Sequence, residues 1–372
     1  MVIKFTHVSS SSVRRLGAIL AIALLLSACW GGQVKKPAAG TGPGTGIGVA
    51  GMVETIAGTG AAGALNGAHG VARFSSPQGV AVDRSGTIYV ADSNNNLIRK
   101  ITTSGAVTTL AGSGMSGAAD GVATAASFSN PLALAVDAQG VVYVCDAGNH
   151  AIRRIDAAGV VTTLAGGTAG FADAQGAAAR FNVPHGVAVS SRGDVYVADF
   201  ANHRIRKITP AGVVTTFAGN DRPGAANGAS AAASFNDPAG IAIDANDDLY
   251  VGDQGNHLIR KISAAGNVTT LAGSGVAGTA NGIGGAAAFN MPGALAVDRQ
   301  GTVYVTASTA NQVRQITAAS VVSTLAGSGL PGSQDGSLQD ASFNFPSGVA
   351  VDAAGNVVIA DSANHLIRRI VK

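Results

Sequence analysis

Short apolar runs rich in Val, Ile, Thr and Tyr recur along most of this chain, each closed by Gly, Asp or Asn. One stretch reads ALAVD (133–137), VVYVCD (141–146), AIRRID (151–156) and VTTLAG (161–166). The runs are too short for helices and carry the β-branched and aromatic residues that suit a pleated surface, so each predicts a strand. The first run shows no polar alternation, as in GVAVD, ALAVD and GIAID, which predicts burial on both faces. The third alternates apolar and cationic residues, as in Ile-Arg-Lys-Ile, which predicts one face toward solvent. A gradient from buried to wet over four strands fits a blade running outward from a central channel.

The unit repeats. Its second strand ends at Asp92, Asp146, Asp199, Asp253, Ala307 and Asp361, with spacings of 54, 53, 54, 54 and 54 residues. A fixed period of this size belongs to a solenoid or a propeller. The last unit stops at LIRRIVK after three runs, whereas VETIAG (53–58) stands alone before the first and matches VTTLAG elsewhere. The pattern therefore predicts an all-β, six-bladed β-propeller of four-stranded blades, closed by the N-terminal strand completing the last blade. Closure removes sheet edges that would recruit other chains.

Each unit places a Pro-x-(Gly/Ala) lead-in before its first strand. A core of the form Asp-x-x-x-(Asn/His)-x-(Ile/Val)-Arg follows after the second, with Ala307 the exception to its Asp. The literal triplet occurs as Asn256-His257-Leu258 and Asn364-His365-Leu366. On these motifs residues 53–372 resemble NHL repeats. WD40 and kelch patterns fit less well, since the one Trp of the chain, Trp30, precedes the repeats. The resemblance implies a six-bladed propeller of a kind that mostly serves as a binding platform, with a minority of enzymes.

Charge changes the picture in one respect. Lys4, Arg14 and Arg15 are the only charged residues of the first 28, so the remainder carries 24 − 3 = 21 basic against 21 acidic residues. A neutral chain without basic clusters argues against nucleic acid, where Lys and Arg on phosphate supply most of the affinity. Those early basic residues precede the apolar run LGAILAIALLL, too short for the about 20 residues a membrane span needs. The grammar is that of a secretory signal. Its end, Leu26-Ser27-Ala28-Cys29, resembles the lipobox of bacterial lipoproteins, which implies a lipidated Cys29 anchored in the bacterial cell envelope. By the same resemblance, Trp30 in place of an Asp favours the outer membrane. The domains expected are a signal (1–28), a lipidated Cys29 with a Gly/Pro-rich tether (29–51) and the propeller (52–372). Cys145, in a run where other units carry Ala, reads as a small buried hydrophobe.

Candidate chemistry falls into a repeated and an unrepeated set. Arg99, Arg153, Arg206, Arg260, Arg314 and Arg368 share one position; His150, His203, His257 and His365 share another, which Asn96 and Asn311 fill in the remaining units. Six evenly spaced copies suit architecture, with the His or Asn bonding to the turn begun by the Asp of the second strand. No metal is expected, because blade geometry sets the histidines too far apart for one ion. GTGAAG (58–63), GSGMSG (112–117), GSGVAG (273–278) and GSGLPG (327–332) match a dinucleotide pattern, yet none opens a helix. They predict turns between blades, with no nucleotide and no cofactor. Asn66, Asp120, Asp173, Asn227, Asn281 and Asp335 each stand eight residues before a repeated Phe, which is expected to plug the gap between neighbouring blades. These loops offer few ligands against the about six to eight oxygens calcium takes.

The unrepeated set is the better guide to a ligand. At the channel mouth the lead-in loops bring Gln78, His185 and Asp237 as polar candidates, and the fourth-unit loop adds Asp221 and Arg222. The fifth unit has lost the repeated Asp and His together, at Ala307 and Asn311. The leading functional expectation is a non-catalytic platform for an unknown protein or glycan partner. The alternative is a metal-dependent hydrolase or lyase of the lactonase or amidating-lyase propeller type, a class the resemblance includes. For the lactonase type a Glu is expected at the channel, and the only Glu, Glu54, falls in the predicted outermost strand.

Overall fold

A computed structural model describes residues 50–372; the signal segment, Cys29 and all but the end of the tether lie outside the described residues. The chain forms six antiparallel sheets arranged as the blades of a propeller. The second blade is representative, with strands Pro131–Val136, Val142–Asp146, Ala151–Ile155 and Val160–Gly166 from the channel outward. In four blades the connecting loop adds a two-residue strand at the outer edge, such as Gly121–Val122 against Val160 and Val161. The sixth blade is closed as the orphan run predicts: Met52–Ala57 pairs antiparallel with Leu366–Val371, Met52 facing Val371. Arg369 donates to Glu54 across that seam.

The core is divided into six clusters, each lying between two neighbouring blades. Phe74, Phe128, Phe181, Phe235, Phe289 and Phe343 each enter one of them with no exposed surface. A Phe held this way contributes about 1.5–3 kcal/mol of burial, so the plugs weld blade to blade. Cys145 sits fully buried in the cluster between blades two and three, and burial pushes its thiol pKa well up.

The third strand departs from expectation. Its alternating pattern predicts a cation on the wet face, yet Arg99 and its five equivalents have no exposed surface at all; the half-exposed residue is the next one, such as Lys100. A buried guanidinium is tolerated only when paired and hydrogen-bonded, so the partners of this Arg define the local architecture.

Candidate functional site

The same clamp recurs in blades one, two, three, four and six. In blade one, Asp92 ends the second strand and Asn95 ends the short 3₁₀ turn after it. Asp92 Oδ2 accepts from Arg99 Nη1 at 2.7 Å and from Asn95 Nδ2 at 2.8 Å, while its Oδ1 accepts from the backbone N–H of Ser75 at 2.7 Å. Arg99 Nη1 also donates to Arg73 O, and Nη2 donates to Leu65 O and Asn66 Oδ1. Its guanidinium lies 5.2 Å from the centre of the Phe74 ring. One Arg thus ties the long connecting loop to the middle of the blade, and Asp120, Asp173 and Asp335 take the Asn66 role in blades two, three and six.

The His series bonds to the turn as expected, through its backbone N–H, as His150 N–H does to Ala147 O, and its rings make a further contact. His150, His203, His257 and His365 cap the 3₁₀ turn in the left-handed backbone region, where Asn96 and Asn311 also sit. The Asn just before each His closes the local turn, and the His ring reaches across to the next blade. Its Nδ1 accepts the N–H of the residue preceding the lead-in Pro: Val183 for His150, Asp237 for His203, Met291 for His257 and Ser76 for His365, at 3.0–3.1 Å. Asn96 and Asn311 accept the same bond through Oδ1, from Asn130 and Phe345. All six donor loops also hold that residue at φ between 47° and 54°. For Val183 and Phe345 this backbone is costly, and the clasp from the neighbouring blade holds it.

These clasps build one face of the ring. Their carriers point outward differently in each blade: Ser76, Asn130, Val183, Asp237, Met291 and Phe345. Beside them rise the Gly-rich turns, which lie on this same face, as Asn311 Nδ2 on Gly329 O shows. Their tips expose Met115, Val276 and Leu330, the last 71% exposed, with Phe345 46% exposed close by. None of the described Gly-rich motifs opens a helix; each leaves an outer strand and turns at a positive-φ Gly such as Gly112.

The candidates from the sequence lie on this face. Gln78 and His185 stand at the start of inner strands, in the channel wall. The His185 ring stacks on Phe200 at 4.7 Å, and burial pushes its pKa down to about 4. Asp237 approaches His203 Nδ1 to 3.4 Å through its carboxylate. Asp221 and Arg222 are exposed on the loop between blades three and four, where the Arg222 N–H donates to Asn220 Oδ1. The face therefore holds all five, with His185 and Asp237 in separate surroundings. Among the described residues no three His, Cys, Asp or Glu side chains gather in an arrangement able to hold a metal ion.

The channel narrows at this mouth. A Cβ on Gly186 would stand 2.3 Å from Ala239 O, and one on Gly240 2.4 Å from Gly293 O. Neighbouring inner strands meet backbone to backbone at Gly79, Gly186, Gly240 and Gly348, and that contact is why these four lead-ins are Pro-x-Gly. At the opposite mouth the strands splay into a cavity of about 300 Å³, lined by Val82, Val136, Val189, Ile243 and the turns after them. Asp83 there is held below the usual carboxylate range: burial would raise it, and bonds from Ser85, Thr87 and Tyr89 outweigh that. Sequence reasoning passed over this cavity, because the turn-forming aspartates around it look like ordinary hairpin residues.

With this geometry in view, comparison with known proteins places the chain. The NHL repeat family model matches residues 74–101, 128–155, 181–208, 235–262 and 343–370. These are blades one to four and six; the chain is an NHL-repeat β-propeller. It is 30% identical over 278 residues to Protein SUPPRESSOR OF QUENCHING 1, chloroplastic, of Arabidopsis thaliana, covering 69% of this chain and 26% of that protein. The chain thus spans about a quarter of that relative's length. Among solved structures, an auxiliary nutrient binding protein from Bacteroides thetaiotaomicron superposes with a TM-score of 0.66 at 16% identity, over 86% of this chain and 75% of that one. A gluconolactonase from Xanthomonas campestris superposes with a TM-score of 0.55 at 18% identity, over 80% and 86%. At such identities the likeness is one of fold.

Proposed function

We propose that this protein is a lipid-anchored, non-catalytic binding platform of the bacterial cell envelope that offers its clasped face to a protein partner. The observation that carries the reading is the contrast within that face. Beneath it every blade makes the same clasp to its neighbour. Above it the tips differ blade by blade and include exposed Met115, Val276, Leu330 and Phe345. A rigid base with variable, partly apolar tips is what a recognition surface needs, and the apolar tips favour protein over glycan. The fold shared with a nutrient-binding protein is consistent with binding. Cys29, behind a signal-like segment, supplies the anchor, and residues 30–51 supply reach.

The test is site-specific photocrosslinking in cells, with the reactive residue placed at Leu330, at Phe345, or at Ser191 beside the opposite mouth. Adducts of one size from Leu330 and Phe345 and none from Ser191 are expected. Adducts from all three alike, or from none, remove the reading. For the anchor, Cys29→Ser is expected to move the protein from the membrane fraction to the soluble one.

A further inference from the structure

Blade five keeps the buried cation of the clamp and lacks its acid. Arg314 has no exposed surface, and its guanidinium lies 5.4 Å from the centre of the Phe289 ring, against 5.1–5.3 Å in the other blades. The position of Asp92, however, is Ala307, and the position of Asn95 is Ala310. In each of the other blades an Arg Nη1, a backbone N–H and an Asn Nδ2 converge on one carboxylate at 2.7–2.9 Å. In blade five the equivalent donors, Arg314 Nη1 and the N–H of Asn290, have no carboxylate to meet. Arg314 Nη1 keeps only Ala288 O, at 3.3 Å, and Nη2 donates to Ala280 O and to the neutral Asn281. Gly278 O likewise loses the Asn donor that its counterparts, such as Gly117 O, accept.

We propose that this slot binds a small carboxylate anion from solution, formate or acetate in size, in the place of the missing Asp side chain. The charge argument is direct. A fully buried guanidinium without a counter-charge is costly, and an anion of the right shape repays that cost. Burial also lowers the pKa of Arg314, with no acid to offset it. The shape argument favours a carboxylate. In the intact blades the two donors take different oxygens of one carboxylate, Arg on Oδ2 and backbone N–H on Oδ1, a spacing a spherical ion does not match. The slot lies just beneath the surface, with Ala310 over it half-buried and Thr309 beside it exposed. An anion of three or four non-hydrogen atoms is limited to roughly millimolar affinity.

The site is independent of the platform reading, and its test uses no partner. Residues 30–372 would be melted in sodium formate, acetate and chloride at equal ionic strength, alongside Ala307→Asp and Arg314→Met. At 100 mM formate the unaltered protein is expected to melt about 3 °C or more above its value in chloride. Ala307→Asp supplies the carboxylate internally and should melt higher in chloride and show no formate response. Arg314→Met should also lose the response, so a folding defect in one variant leaves the other to decide. Equal shifts in all three proteins, or chloride matching formate, would overturn the proposal.

Discussion

Blade five and blade four are neighbours with one architecture and different interiors. Blade four holds Arg260 against Asp253, with Asn256 completing the set, and carries its His257 clasp. Blade five holds Arg314 with no acid, clasps through Asn311, and has an inner strand shortened to Leu295–Val297. Thr306 fills the position of a small residue, donating to Ser347 O of blade six and accepting from Ala294 N–H. The family pattern passes over blade five alone. Two lessons follow. The ring tolerates one blade without the ionic part of its clamp, so the Phe plugs and the closed circle carry that blade. The clasp to the next blade, in contrast, is kept even there, so continuity between blades is the stricter requirement.

Making blade four resemble blade five is the sharpest challenge to this comparison. Asp253→Ala leaves Arg260 buried without its acid and is expected to cost about 3–5 kcal/mol in urea unfolding. A loss under about 1 kcal/mol would mean the clamp contributes little in any blade. Next in size is Gly240→Ala, whose methyl would collide with Gly293 O and force blades four and five apart. A cost of about 1–3 kcal/mol is expected, whereas blade five already carries a methyl at the matching position, Ala294. The clasp can be tested by exchange: His257→Asn copies blade five and should change stability by less than about 0.5 kcal/mol, while His257→Ala should cost about 1 kcal/mol. Urea midpoints that fail to separate these two variants would remove the clasp from the account.

A response to acid is expected as well. His185 has a folded-state pKa of about 4, and burial also lowers His150 and His365, whose Nδ1 must stay unprotonated to accept the clasp. A pKa depressed in the folded state gives stability that is fully present above the unfolded value of about 6.5 and is lost as pH falls below it. The melting temperature should therefore be level above about pH 7 and decline from there toward pH 4. His185→Gln, the residue blade one uses as Gln78, should make that decline shallower.

The architecture was legible because its signals are local and repeated. Short apolar runs bounded by turn residues named the strands, the orphan VETIAG named the closing strand, and the spacing of each Phe named the plugs. The interior of the clamp was hidden. A run such as Ile-Arg-Lys-Ile looks the same whether its Arg faces water or an Asp on the neighbouring strand. The distinguishing trace lies in the residues themselves: Arg fills the first cationic position in all six blades, while Lys100, Arg154 and Gln315 vary at the next. The clasp could not be read locally at all, since His150 meets Val183 across 33 residues. Of the candidate face, the sequence indicated which residues would vary. It gave no sign that their loops are held in left-handed geometry from the next blade, or that His185 would lie against Phe200.

The seam between Met52–Ala57 and Leu366–Val371 also fixes an order of events. Glu54 and Arg369 are 315 residues apart in the chain, so the first described strand of the propeller is paired with its last. Until Val371 has left the ribosome, or an export pore, the nascent chain has two unpaired borders and no ring. The late, long-range pairing makes acquisition of the native state slow, and the waiting borders are open to strands from other nascent copies. For this protein the vulnerable period is the interval before its two ends meet.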